Sequence, residues 1–172
     1  MNTMNRELIY QTLFDLLKNL SQITTSSRRL KHWNEVSAAD MPALFLVQGK
    51  ETAKTITGMP TKWSFYPEIY IYVNAGSDPN ITPYSILNPI VDQCIGLFDS
   101  INNQYSGGKQ ILGGLVHDVR LNGLVENDGG ALGPIAVCRI PLEIIIAISI
   151  SFDDHRGERF SGSKAGAAKG GK

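Results

Sequence analysis

The sequence predicts an α+β fold, a mixed, mainly antiparallel sheet with two main helices packed on one face. Three observations carry this expectation. Two segments, Ile9 to Leu20 and Ile90 to Ile101, repeat apolar residues at the helical period. Residues 63–73 alternate at the strand period, and residues 135–151 form a long β-branched run. The chain of 172 residues fits one domain, and a 42% hydrophobic, 19% charged composition provides a core.

The first helix is expected from about Asn5 to Leu20, with Ile9, Leu13, Leu16, Leu17 and Leu20 on one stripe. Asn5 or Thr3 caps its start. Ser21 to Ser27 then stops it, because Ser and Thr side chains compete for backbone hydrogen bonds. Arg28, Arg29, Lys31 and His32 form a basic cluster anchored by Leu30, Trp33 and Val36. A short strand centred on Phe45-Leu46-Val47 follows Pro42, and Lys50 to Lys62 reads as a polar loop. In the next strand Trp63, Phe65, Ile69, Ile71 and Val73 point one way, while Ser64, Tyr66, Glu68, Tyr70 and Tyr72 point the other. Pro67 inside it marks an edge position or a bulge.

The second helix begins at Thr82-Pro83 or at Asn88-Pro89, since each pair sets a capping residue before a proline. Its stripe is Ile90, Cys94, Leu97, Phe98 and Ile101, and Gly107-Gly108 ends the connection. Leu115 to Leu121 alternates as a strand, and Asn122-Gly123 gives the strongest hairpin signal in the chain. Leu124-Val125-Glu126 continues beyond that turn, and Asn127-Asp128-Gly129-Gly130 forms another. The last strand runs from Ile135 to Ser151. Its even positions, Ala136 to Ile150, are apolar, and Arg139 and Glu143 stand on its polar face. It is no membrane span, being short of the ~18–20 apolar residues needed and interrupted by Glu143. These elements fill a domain over residues 1–152. Residues 153–172, rich in Gly and Lys, read as a flexible arm.

Chemistry-bearing motifs are weak. Sixteen Lys plus Arg balance sixteen Asp plus Glu, which argues against a nucleic-acid binder working through its overall field and suits a chain in an assembly. Cys94 and Cys138 match no zinc or redox spacing and sit on apolar faces as small hydrophobes. His32, His117 and His155 lie in separate segments and cannot supply the three or four converging ligands of a metal site. Ser161 and Lys164 have Ser-x-x-Lys spacing, but nothing in a Gly-rich tail would desolvate the lysine. Gly166 to Lys172 lacks the Ser/Thr and the following helix of a phosphate loop. Tyr66, Tyr70 and Tyr72 form either a binding surface or an ordinary half-exposed strand face. Arg28, Arg29 and Lys31 read as a solvated patch rather than a nucleic-acid site; Arg139 and Glu143 are inter-subunit ion pairs or solvent-facing charges.

The order of elements resembles the tail terminator proteins of long-tailed bacteriophages. The residues that carry the resemblance are Pro42 to Val47, the aromatic strand Trp63 to Val73, and Asn88-Pro-Ile-Val-Asp92. Leu112-Gly-Gly-Leu-Val116 follows, then Val119-Arg-Leu-Asn-Gly123, Asp128-Gly-Gly, and Arg139-Ile-Pro-Leu-Glu-Ile-Ile-Ile146. It covers about residues 5 to 150 and leaves the Lys50–Lys62 stretch and the Gly/Lys tail unmatched. It implies a ring-forming subunit, a homohexamer that caps the tail tube, stops its polymerisation and offers a docking face to the head connector. The implied partners are other copies, the tail tube protein, a head connector or neck protein and, further out, the sheath. The implied place is the neck of the virion's tail, after synthesis in the host cytoplasm, with no membrane or sequence-specific nucleic-acid binding and with no catalytic residue or cofactor. A head–tail connector or other neck ring is the alternative within that class, and a small-molecule enzyme on an α+β scaffold the alternative outside it. In the leading reading Tyr66, Tyr70, Tyr72, Arg139, Glu143, Arg28 and Arg29 are subunit or tube contacts. Phe160, Lys164, Lys169 and Lys172 are then contacts of the arm.

Overall fold

The computed structural model describes residues 4–130 and 133–147. The expected arm residues Phe160, Lys164, Lys169 and Lys172, the strand end beyond Ala147 and the boundary at residue 152 lie outside the described residues. Helix α1 spans Arg6–Leu17 and α2 spans Pro83–Gly96. The strands are β1 (Thr25–Ser27), β2 (Ala43–Lys54), β3 (Lys62–Asn74), β4 (Asp118–Leu121), β5 (Glu126–Gly130) and β6 (Gly133–Ala147). They form a six-stranded sheet in the order β1-β2-β3-β6-β4, with β5 also on β6. Every pairing is antiparallel except β1 with β2. The fold is α+β with a mixed, mostly antiparallel sheet.

Both helices lie on one face of that sheet. Asn5 caps α1, its side-chain oxygen accepting the Leu8 N–H at 3.0 Å. Ile9, Tyr10, Leu13 and Leu17 of α1 and Leu87, Ile90, Val91 and Cys94 of α2 are buried. They share one core with Ile69, Ile71 and Val73 of β3 and with the even positions of β6, Ala136 through Ile146. The even positions of β6 up to Ile146 thus share a core with Ile90 and Cys94 of α2 and with Phe98 just beyond its end. Each of these buried Ile side chains contributes ~1.5–3 kcal/mol of burial, so this row is the fold's main anchor. The Tyr10 ring stacks on Phe65 with centroids 5.9 Å apart, and its buried hydroxyl has no hydrogen-bond partner among the described residues.

Several boundaries differ from expectation. The second helix takes the earlier start, with Thr82 as N-cap and Pro89 inside it. It ends at Gly96, where the amides of Asn102 and Asn103 donate to the carbonyls of Gly96 and Leu97. Ile101 therefore leaves the stripe and is 70% exposed. The Ser21–Ser27 stretch ends in a strand, β1, rather than only stopping a helix. Lys50 to Lys54 belongs to β2, so the polar loop shrinks to residues 55–61.

Pro67 sits in a central strand, and the bulge reading is the correct one. The register jumps between Val47 and Lys50, which sets Gln48 and Gly49 opposite Pro67, the residue without an N–H. A Cβ at Gly49 would lie 1.8 Å from the Tyr66 carbonyl oxygen, so the bulge requires glycine there. Asn122-Gly123 makes no two-residue hairpin. Because β3 fills one edge of β6, β4 and β5 lie end to end along the other, with residues 122–125 joining them. Asn127 to Gly130 is strand rather than turn. Gly113 and Gly114 are turn glycines as expected, at φ +69° and +92°, and they swing the buried Leu112 into the core.

Candidate interaction surface

The sheet face opposite the helices has two unlike halves. Over the first, Val36 and Met41 cover Ala43, Phe45 and Tyr72 in a second small core that Trp33 borders. Tyr72 is only 4% exposed, packs its ring 5.2 Å from Phe45 and donates its hydroxyl to the Lys31 carbonyl at 3.0 Å. It is a core residue of this subunit, which removes it from the expected surface row.

The second half carries charge in pairs that cross strands. Arg139 of β6 donates to Glu68 of β3 and to Glu126 of β5, linking three strands through one guanidinium. Tyr70 donates its hydroxyl to Glu68 at 2.8 Å. The Arg139 hydrogen bond is the largest influence on Glu68 and holds its carboxyl below the usual range, against the opposing effect of burial. Burial and then the bond to Glu68 push the Tyr70 phenol up. Arg139 in turn is held protonated above its ordinary value by its two carboxylates.

A second pair lies further along β6. Arg120 of β4 donates to Glu143 at 2.7 and 3.0 Å. Burial is the largest single influence on Glu143 and pushes its pKa up. The bonds from Arg120 and Ser64, with the charges of Arg120 and Lys62, outweigh it, so the carboxyl stays low. Tyr66 stands near enough to add to the raised pKa of Arg120, whose chief cause is Glu143. Both Arg139 and Glu143 thus hold partners inside the subunit. Each pair closes within one subunit.

Arg28 and Arg29 stand apart from this face. Arg28 turns to α1 and pairs with Glu7, whose carboxyl that hydrogen bond lowers. Arg29 is exposed, and its backbone N–H donates to the Ser27 hydroxyl. The structure therefore joins Tyr70 with Arg139 through Glu68, sets Tyr66 near Arg120 of the Arg120–Glu143 pair, buries Tyr72 in the small core that Tyr70 borders, and places Arg28 beside α1. Glu68, Glu126 and Arg120 complete the surface and were not singled out by the sequence. Glu68 does share the strand period of Tyr66 and Tyr70; Glu126 and Arg120 become visible only through pairing with β6.

Other chemistry is spoken for. The Cys94 and Cys138 thiols are buried, and burial pushes both pKa values up to about 12, far from a thiolate at neutral pH. Among the described residues no group of three or more His, Cys, Asp or Glu is placed to hold a metal ion. An open cleft between the C-terminal ends of the helices is lined by Asn19, Ser21, Gln93, Asn102, Asn103 and Gln110. Several of its polar groups serve the helix ends and one another: Asn19 donates to the Asp15 carbonyl, Gln110 to the Leu97 carbonyl, and the Gln93 amide oxygen accepts from Ser21. Among the described residues no helix is long and apolar enough to cross a membrane.

The outline of the sheet adds a further surface. The three residues of β1 cover only Ala43 to Phe45 of β2, so the outer edge of β2 from Leu46 to Lys54 has no partner strand among the described residues. Residues 48–60 are exposed throughout, and the 55–61 turn displays Ile56 and Met59. Unpaired edges of this length are normally blunted or covered.

No family model and no curated protein matches the chain. Among solved structures, 26 chains match. One of them covers 86% of this chain and 99% of its own length at 13% identity and a TM-score of 0.48, a likeness that carries no argument about function.

Proposed function

We propose that this chain is a structural subunit, a phage tail terminator that assembles into a hexameric ring, caps the tail tube and presents a docking face to the head connector. The observation that carries the reading is the open outer edge of β2, Leu46 to Lys54, with its displayed 55–61 turn. An unpaired strand edge is a template on which a second chain can add, which suits a subunit that assembles. The resemblance carried by Leu112-Gly-Gly-Leu-Val116 and Arg139 to Ile146 supports the same reading.

The mechanism is steric. A ring seated on the last ring of tube subunits buries the surface that the next tube subunit would use. Binding energy, rather than bond chemistry, performs the task. The test is to let the tail tube protein of the same particle polymerise with and without this chain. Substoichiometric amounts should shorten the tubes and leave each with one capped end. Tubes of unchanged length, with no protein at their ends, would refute the reading.

A further inference from the structure

We infer that the β2 edge with its 55–61 turn on one subunit seats against the β4–β5 edge of a second copy of this chain. The inference rests on the ring reading and deepens it by naming the two surfaces that meet.

The two edges are at opposite sides of the sheet, and they differ in charge. Residues 50–62 carry Lys50, Glu51, Lys54 and Lys62, a net +2. Glu51 is taken by Arg6 at 2.9 Å, while the three lysines have no ion-pair partner among the described residues. Residues 118–130 carry Asp118, Arg120, Glu126 and Asp128, a net −2. Arg120 is taken by Glu143 and Glu126 by Arg139, which leaves Asp118 and Asp128 as the acidic side chains without an ion-pair partner among the described residues. Glu126, Asn127 and Asp128 are exposed.

Each edge also displays apolar residues that its own subunit leaves uncovered. Ile56 and Met59 are 47% and 62% exposed; Leu121 and Leu124 are 38% and 73% exposed. The order of features matches when the edges run antiparallel. One edge reads Ile56, Lys54, Lys50 and the other Leu124, Glu126, Asp128. With Ile56 opposite Leu124, such a pairing sets apolar against apolar, Lys54 opposite Glu126 and Thr52 opposite Asp128, so that Asp128 stands diagonally between Lys50 and Lys54.

A contact between two different edges is heterologous, so it propagates from copy to copy and closes only as a ring. Two like edges would instead face lysine with lysine or carboxylate with carboxylate, which disfavours a two-fold dimer. The same complementarity gives the exposed 55–61 turn a place to be buried.

The experiment uses the full chain and its native mass. One variant carries Lys50→Asp and Lys54→Asp; the other carries Asn127→Lys and Asp128→Lys. None of these four side chains makes an ion pair within the described subunit, so far-UV circular dichroism and thermal midpoint serve as folding controls. Each variant alone should fall from six copies to one, and an equimolar mixture should recover a ring with three of each. Variants that stay in rings alone, or a mixture that stays monomeric, would overturn the edge pairing while the ring reading stands. A wild-type chain that is monomeric at every concentration would overturn both.

Discussion

Replacing Gly49 by alanine tests the bulge in β2. The added Cβ would sit 1.8 Å from the Tyr66 carbonyl oxygen and 2.9 Å from its carbon, both backbone atoms of a central strand. Such contacts essentially never fall under 3.0 Å, so the strands must part by more than an ångström or the bulge must move. No rotamer can relieve a clash with backbone, which places the cost at the upper end of overpacking, ~3 kcal/mol. For a chain of this length that corresponds to about 6–12 °C in thermal midpoint. Gly58→Ala is the matched control. Gly58 has φ +78° and nothing within 4 Å of its Cβ position, so only the left-handed backbone is penalised, at ~1 kcal/mol. Urea unfolding of both variants gives the comparison. A Gly49→Ala loss equal to or below that of Gly58→Ala would refute the bulge geometry.

The remaining predictions concern the core, the ion pairs and the thiols. Ile144 is fully buried against the helices, so Ile144→Ala should cost ~2–5 kcal/mol in urea unfolding and Ile144→Asp should give no soluble protein. Glu143 is paired within the subunit, so its charge reversal should lower the thermal midpoint and not merely shift the oligomer; an unaltered midpoint with altered mass would contradict this. Glu68 and Glu143 both have folded pKa values below the ordinary 4.5. Their contribution is therefore complete above about pH 4.5 and is lost as pH falls through the folded values. The Glu143→Gln variant should show a flatter acid limb of stability, and an identical limb would reject the coupling. Cys94 and Cys138 should react with a thiol reagent only after unfolding, given their burial and raised pKa values; rapid native-state labelling would disprove the packing.

What the sequence made legible follows from which signals are local. The alternation of β6 and the stripes of both helices announce one buried face each, and the structure sets those faces together. The end of β2 was illegible for the opposite reason. Lys50 to Lys54 is exposed on an open edge, so no apolar period marks it as strand. The local hairpin signal of Asn122-Gly123 lost to a non-local partner, because β4 and β5 each gain more by pairing with β6. Tyr72 looked like its neighbours Tyr66 and Tyr70; only the return of residues 31–41 across the sheet buries it. The Arg139–Glu126 and Arg120–Glu143 pairs depend on the same distant pairings. Ile101 kept the helical period beyond the true end of α2, which the side chains of Asn102 and Asn103 impose.

The most direct measurement is electron microscopy of particles produced with and without this chain, from the genome that encodes it. With the chain present, tails should have one length, end in a ring and join heads. Without it, the account predicts tubes of uncontrolled, mostly excessive length and heads that stay unattached. Tails of normal length joined to heads in the absence of the chain would contradict it.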